Sequence, residues 1–263
     1  MWTQELLAQH VRDHCEEAGH PTLKQLSKGT VSKILKTNSI HPHRIEYYLE
    51  KRDPEFDPKM AQVLTVYQEV EILQKAEEPQ ALLKVILSYD EKPGVQAIAN
   101  TAPDRPPALG SHGCIQRDHE YKRLGTLSVL GGIDWVTGHV HHSVCDRHRS
   151  AEFVDFLKGV DAYYPAGTEI AILLDNHSAH RSKETNRYLE SVPGRFQFVF
   201  TPKHGSWLNL IESFFSKMSR TVLRHIRVTS KEELRDRIQQ YLTELNEDPK
   251  PFHWRYGLHA AKE

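Results

Sequence analysis

The sequence lacks any hydrophobic run of about 18 residues, which is the length that a membrane-spanning helix needs. Near Met1 it also lacks the basic stretch followed by an apolar stretch that marks a secretory signal peptide. Its cysteines, Cys15, Cys114 and Cys145, are widely spaced and form no CxxC pair. These absences favour a reduced, cytoplasmic protein with no membrane partner.

The chain also lacks an excess of charge of one sign, because its formal net charge is −1 over 263 residues. That balance neither supports nor excludes a nucleic-acid partner, since the local distribution of charge decides binding. Residues 201–235 contain seven basic and three acidic side chains, which gives this stretch a local net charge of +4. Such a segment fits either a phosphate-binding surface or a solvated helix face.

What the sequence does contain is a set of acids that follow apolar runs. The run 170–174 ends at Asp175 and the run 82–89 ends at Asp90, so each predicts a buried strand that ends in a carboxylate. Glu212 lies in an amphipathic helical pattern. Hard cations such as Mg²⁺ bind through few carboxylates plus substrate phosphates, and a metal pair held in this way can cleave a phosphodiester. Glu91 is a weaker candidate than Asp90, because strand alternation points it to the opposite face.

The first 52 residues predict short helices, with a helix-turn-helix pattern over 20–37. In that pattern the side chains available to DNA are Thr30, Ser32, Lys33 and Lys36. Small helical units of this kind also serve as plain interaction modules, so both interpretations stay open.

The predicted domain order is a helix-turn-helix DNA-binding domain over 1–52, a helical linker over 53–80 and a catalytic domain over 81–263. Within the last region, a first strand ends at Asp90, and 125–134 and 140 onward predict two more strands in antiparallel order. Helices then alternate with two further strands. The pattern predicts an α/β fold with a mixed sheet covered by helices.

Four separated motifs resemble those of the DDE transposases, and more narrowly of the bacterial insertion-sequence branch of the mariner superfamily. The motifs are Asp90-Glu91, the segment 121–126, Leu174-Asp175-Asn176-His177 and the segment 201–212. The closing segment 246–254 also looks like that branch. The resemblance covers most of residues 1–255.

The resemblance implies a ribonuclease H-like, five-stranded mixed sheet flanked by helices and preceded by a small all-α domain. It implies that Asp90, Asp175 and Glu212 are the catalytic, metal-binding acids, with two Mg²⁺ ions per site and Mn²⁺ as a substitute. The implied reaction cuts DNA at transposon terminal inverted repeats and joins the freed 3′ end to target DNA. The implied assembly is a homodimer on DNA, associated with the nucleoid of the bacterial cytoplasm.

Members of this family carry two helix-turn-helix units, and this chain begins at what looks like the second. We therefore expect a shortened N-terminus, which leaves a second interpretation: a catalytically inactive or domesticated DNA-binding remnant that acts as a regulator. A third interpretation is a general nuclease with the same fold.

Polar residues beside the acids are candidates for supporting roles. Those expected to orient the acids or a phosphate, or to fix the local loop, are Asn176, His177, His180 and Asn209. Lys203 and His204 are candidates for contact with DNA. A further cluster of histidines with one cysteine allows a zinc site, although exposed strand residues explain it better; its members are His139, His141, His142, Cys145 and His148.

Overall fold

The structure, a computed structural model, describes residues 2–42, 44–45, 53–75, 84–203, 205 and 209–251. Contacts between residues divide the chain into two compact units, Met1–Glu50 and Lys51–Glu263. Within the described ranges, no helix is both long enough and apolar enough to cross a membrane.

The N-terminal unit consists of helix α1 (Gln4–His14), a 3₁₀ turn (Pro21–Gln25) and helix α2 (Lys28–Thr37). The Ser27 hydroxyl caps α2 by accepting a hydrogen bond from the Thr30 N–H at 3.1 Å. Ala8, Cys15 and Val31 are buried. The helix predicted to begin at Pro21 is only a 3₁₀ turn, whereas the helix predicted after the turn is present as α2.

The second unit is built on one five-stranded sheet. Its strands are β1 (Lys84–Asn100), β2 (Tyr121–Asp134), β3 (Val140–Cys145), β4 (Glu169–Leu174) and β5 (Phe196–Phe200). They lie in the spatial order β3-β2-β1-β4-β5. β1 pairs antiparallel with β2, and β2 antiparallel with β3, whereas β1, β4 and β5 are parallel. The predicted mixed sheet, with three antiparallel strands first in the chain, is confirmed.

Helices cover both faces of this sheet. They are α3 (Phe56–Lys75), α4 (Ser150–Tyr163), α5 (Lys183–Ser191), α6 (Ile211–Met218) and α7 (Lys231–Glu247). One face carries α3, α6 and α7, and the other carries α4 and α5. Successive strand residues alternate between the two apolar layers. In β4, Ala171 and Leu173 pack on the α3 side, whereas Ile170 and Ile172 pack on the α4 side.

The first strand is longer than the sequence predicts. It does not end at Asp90 but continues to Asn100, with a register shift between Lys92 and Val95. Pro93 and Gly94 lie in this bulge, and Gly94 has a positive φ of 67°. A bulge admits a proline that cannot donate to the ladder, so the pairing with β2 resumes beyond it. Asp90 therefore lies inside a continuous strand.

The segment 53–80, predicted as a helical linker, contains a helix that packs on the sheet. Val63, Val66 and Val70 of α3 are buried in one cluster with Ile86 and Leu173. The periodicity of these valines predicted the helix correctly, but their burial partners lie far away in sequence. Residues 76–80 lie outside the described residues.

Candidate active site

Asp90 and Asp175 come to one edge of the sheet through the parallel pairing of their strands. Ser88 of β1 pairs with Leu173 of β4, and each acid follows two residues later. Asp175 comes directly after the end of β4, as predicted. Because the two strands run in the same direction, the two carboxylates emerge side by side.

Burial raises the pKa of Asp90 to about 7. The N–H of Glu91, which Asp90 Oδ1 accepts at 2.8 Å, works against this rise. The negative charges of Glu91, Asp175 and Glu212 raise the pKa further. Asp175 and Glu212 therefore lie close enough to Asp90 for their charges to act on it.

The pKa of Asp175 is lowered instead, chiefly because its carboxylate is hydrogen-bonded to His180. His180 Nδ1 lies 3.2 Å from Asp175 Oδ1, and the His177 N–H donates to the same oxygen at 2.8 Å. Two like acids thus differ, because one is held ionised by donors and the other is pushed toward its neutral form. A divalent cation bound beside Asp90 would favour the ionised form that burial and the neighbouring acids disfavour.

Glu212 lies in the first turn of α6 and is exposed. The start of this short helix is tied to β1 by Asn209, which is buried. Asn209 Nδ2 donates to the Tyr89 carbonyl at 2.8 Å, and its Oδ1 accepts from the Ser88 hydroxyl. These bonds lie next to Asp90 in sequence. Asn209 therefore anchors the helix that carries Glu212 to the strand that carries Asp90.

Close backbone contact with β2 sets the height of α6 above the sheet. Gly131 is the β2 partner of Asp90 in the register. A Cβ added at Gly131 would lie 3.0 Å from Phe215 Cζ and 3.1 Å from Ile211 Cδ1. The helix thus rests on a bare backbone, and a side chain here would lift it.

The other polar neighbours divide into two groups. Asn176 fixes the loop after β4, because its Nδ2 donates to the Thr201 carbonyl at 2.7 Å and its Oδ1 accepts from Arg181 at 2.9 Å.

His180 is buried, and its Nε2 also lies 3.0 Å from Glu91 Oε1. Although burial opposes it, hydrogen bonds to Asp175 and Glu91 raise the pKa of His180 to about 9. These hydrogen bonds therefore favour the protonated form of His180, which bridges two carboxylates.

Sequence reasoning missed the role of Glu91. It placed Glu91 correctly on the face opposite Asp90, where it accepts a hydrogen bond from the Tyr89 hydroxyl at 2.9 Å. It did not pair Glu91 with His180, which lies 89 positions away. The sequence offered one sign of such a role, because Glu91 lies directly beside the candidate acid Asp90.

The residues predicted to contact DNA lie at the surface of their own units. Thr30, Lys33 and Lys36 of α2 are exposed, and Ser32 is half-buried. The side chain of Lys203 is exposed, and its N–H donates to Asp53 at 3.0 Å. His204 lies outside the described residues.

The histidine cluster on β3 is not a set of exposed strand residues. His141 is buried, its Nε2 lies 2.9 Å from the Tyr164 hydroxyl, and burial lowers its pKa to about 3. His148 Nδ1 lies 3.0 Å from the Ser128 hydroxyl. The expectation of exposure is wrong because this strand is covered by α4 and α7. Over the described ranges, these residues are not among the groups placed to share a metal ion.

The fold and the acids define a class of proteins. In this class, carboxylates at one edge of a mixed sheet serve metal-dependent chemistry. Within it, a family profile described as DDE superfamily endonuclease matches residues 96–235, which is just over half of the chain. The chain belongs to this family, as its motifs predict. The matched range includes Asp175 and Glu212, and Asp90 lies shortly before it.

The chain is 25% identical over 254 residues to the insertion element IS630 uncharacterized 39 kDa protein of Shigella sonnei, covering 94% of this chain and 66% of that protein. The chain thus spans just under two thirds of the length of this relative.

Solved structures of the Mos1 transposase share the fold. The Mos1 mariner paired-end complex with Mn aligns with a TM-score of 0.57 at 13% identity, covering 96% of this chain and 76% of that one. The Mos1 strand transfer complex aligns with a TM-score of 0.51 at 13% identity, covering 96% and 75%. The ribonuclease H-like fold is confirmed.

Proposed function

We propose that this chain is a transposase that cuts DNA at transposon ends and joins the 3′ end to target DNA. The observation that carries the proposal is that parallel pairing of β1 and β4 brings Asp90 and Asp175 to one edge of the sheet, where Asn209 ties the start of the helix that bears Glu212 to β1. The family described as DDE superfamily endonuclease and the relative from an insertion element support it.

Asp90, Asp175 and Glu212 are the residues that would hold Mg²⁺, with Mn²⁺ as a substitute and two ions per site. Oxygen donors alone are what these hard cations prefer. Solved Mos1 complexes contain Mn in one case and Mg in another, which supports this choice. When bound, such ions activate a water or a 3′-hydroxyl and stabilise the leaving oxygen.

Other residues of this chain hold the proposed catalytic acids in position. His180 and the His177 N–H hold the Asp175 carboxylate in one orientation, and Asn209 holds the start of α6 against β1. These bonds fix the acids before DNA arrives, so ordering them adds little to the barrier.

A groove between the bulge of β1 and the segment that follows α6 would hold the DNA backbone. It has a volume of about 500 Å³ and is lined by Lys92, Arg220 and Arg224, next to the β1 bulge. Both arginines are exposed, and Lys92 follows Asp90 by two residues. Lys203, in the loop before α6, and His204 are proposed to contact DNA as well.

The N-terminal unit would recognise the transposon terminal inverted repeat through side chains of α2. Thr30, Ser32, Lys33 and Lys36 lie within two to three turns of that helix, as groove contact by a recognition helix requires. A homodimer that pairs two DNA ends in the bacterial nucleoid is the assembly we propose, in line with the paired-end complexes of Mos1.

The test is cleavage and strand transfer on labelled DNA that carries the element's own terminal repeats, with Mg²⁺ or Mn²⁺. We expect Glu212→Gln to abolish both steps, because it removes one metal-binding charge at an exposed position. Glu184→Gln, at an exposed first-turn position of α5, is the matched control and should retain activity.

Three outcomes would overturn the proposal. Binding without cutting by the unchanged chain favours a regulatory remnant. Cutting without joining favours a general nuclease. Activity that survives Glu212→Gln removes this acid from the site.

A further inference from the structure

A second group of metal-binding side chains lies across the sheet from Asp90. Tyr89 and Glu91 point to the α4 face, because β1 alternates and Tyr89 packs on Phe153 and Phe156. His180 packs on Tyr89 and Phe153. Glu91 and His180 thus meet on the face that α6 does not cover.

Three donors converge at this place. One carboxylate oxygen of Glu91 and one ring nitrogen each of His177 and His180 all lie within 4.8 Å of one another. Glu91 Oε1 and His180 Nε2 are 3.0 Å apart. Two ligands of a tetrahedral zinc ion with bonds near 2.0–2.1 Å are separated by about 3.3 Å, so this pair already has nearly the spacing that such an ion requires.

His177 supplies an independent observation. Its Nδ1 is buried and has no hydrogen-bond partner among the described residues. A buried polar atom left without a partner destabilises the folded state. A metal ion held by His177, His180 and Glu91 would give this nitrogen a partner.

We propose that Glu91, His177 and His180 form a transition-metal site, of the kind that binds Zn²⁺, distinct from the oxygen-only site of Asp90, Asp175 and Glu212. Two imidazoles and one carboxylate match the donors that zinc prefers, whereas Mg²⁺ prefers oxygen alone. Solvent water completes the coordination.

Binding exchanges a proton for the metal. The ion takes the position of the hydrogen between His180 Nε2 and Glu91, and that proton leaves to solvent. His180 Nδ1–H still donates to Asp175, which gives the histidine–carboxylate pairing that usually supports a metal-bound imidazole. The site therefore adjoins the acids through one side chain without sharing a ligand with them.

The experiment titrates the metal-free full chain with Co²⁺ and follows the visible absorption of tetrahedral cobalt, with Zn²⁺ added afterwards as the competitor. We expect one strongly bound ion per chain that Zn²⁺ displaces. His177→Asn and Glu91→Gln should weaken binding by more than the roughly 10–100-fold cost of losing a group that merely supports a ligand.

Two controls separate this site from others. His139→Asn alters a histidine stacked on Tyr163 and should leave the cobalt spectrum unchanged. Glu212→Gln should also retain it, whether or not the chain cuts DNA, so this test and that of the catalytic proposal fail independently. Thermal unfolding shows whether each variant folds, and His177→Asn, at a half-buried position, is the variant that decides.

The proposal is overturned if the unchanged chain shows no tetrahedral cobalt spectrum, or if folded His177→Asn binds Co²⁺ as the unchanged chain does. It is equally overturned if His139→Asn or Glu212→Gln abolishes the spectrum, because the ion then lies elsewhere.

Discussion

At the scale of single residues, Asp90 and Asp175 have identical side chains but opposite pKa shifts. Desolvation governs Asp90, which has one backbone donor and three nearby acids. Hydrogen bonding governs Asp175, which has His180 and the His177 N–H. If the proposed cation binds here, Asp175 would already be ionised, whereas Asp90 would have to give up the proton that its surroundings favour.

The raised pKa of Asp90 predicts how stability depends on pH. The carboxyl binds its proton more tightly when folded, near pH 7, than when unfolded, near 3.8, so its contribution to the free energy of unfolding falls as pH rises through that range. Without added metal, Asp90→Asn should raise the free energy of unfolding at pH 8 by on the order of 1–3 kcal/mol, and the gain should vanish below pH 4.

Urea unfolding at pH 8 and pH 4 measures this difference. Asp155→Asn, at an exposed position, is the control and should change little at either pH. An equal effect of Asp90→Asn at both pH values would contradict the burial of this charge.

At the scale of elements, the short helix α6 depends on contacts that no local pattern reveals. Its acid-bearing first turn rests on Gly131 and is tied to β1 by Asn209. Both contacts join positions that are distant in sequence. The position of Glu212 relative to Asp90 is therefore determined by tertiary packing, which the local sequence pattern does not reveal.

Gly131→Ala tests this packing. The added methyl lies 3.0–3.1 Å from Phe215 and Ile211, so α6 must shift by a few tenths of an ångström or more. We expect cleavage to slow by roughly tenfold or more while the chain stays folded, since small misplacements of catalytic groups are costly.

Gly159→Ala is the matched control for that variant. It lies in α4 with no atom within 4 Å of the added Cβ, and it should retain activity. Steady-state cleavage and circular dichroism on both variants decide the matter, and unchanged cleavage by Gly131→Ala would show that α6 tolerates the shift.

The elements also show what the sequence could reveal. Period-2 and helical patterns predicted the strand before Asp175, the helix of Glu212 and the antiparallel start of the sheet. They failed at Pro93-Gly94. These residues are typical of a turn, but β1 continues past them because it stays paired with β2. They also failed for Glu91 and His180, because no periodicity relates side chains brought together from β1 and the turn after β4.

At the scale of the whole molecule, the formal net charge of −1 coexists with a groove that Lys92, Arg220 and Arg224 line. Several cations of the stretch 201–235 are already engaged within the fold. Lys231 and Arg235 pair with Asp146, and Arg227 bonds to Asn100. Arg220 and Arg224 remain exposed along the groove.

Replacing Arg220 and Arg224 with alanine should therefore weaken DNA binding alike for all sequences. For every phosphate that the variant no longer neutralises, the slope of log affinity against log salt should become shallower by about 0.9. Fluorescence anisotropy across a salt series measures the slope. Arg187→Ala, exposed on α5, is the control, and an equal change of slope there would contradict a role specific to the groove.

The tie between Asn209 and β1 has a consequence for partial unfolding. The Ile211 N–H donates to the Ser88 hydroxyl at 3.4 Å, and Asn209 bonds to both Ser88 and Tyr89. The start of α6 therefore opens together with the centre of the sheet, and not as an independent surface helix. Any partly opened form that retains the geometry of Asp90 retains that of Glu212, so the two acids are disrupted or preserved in one cooperative step.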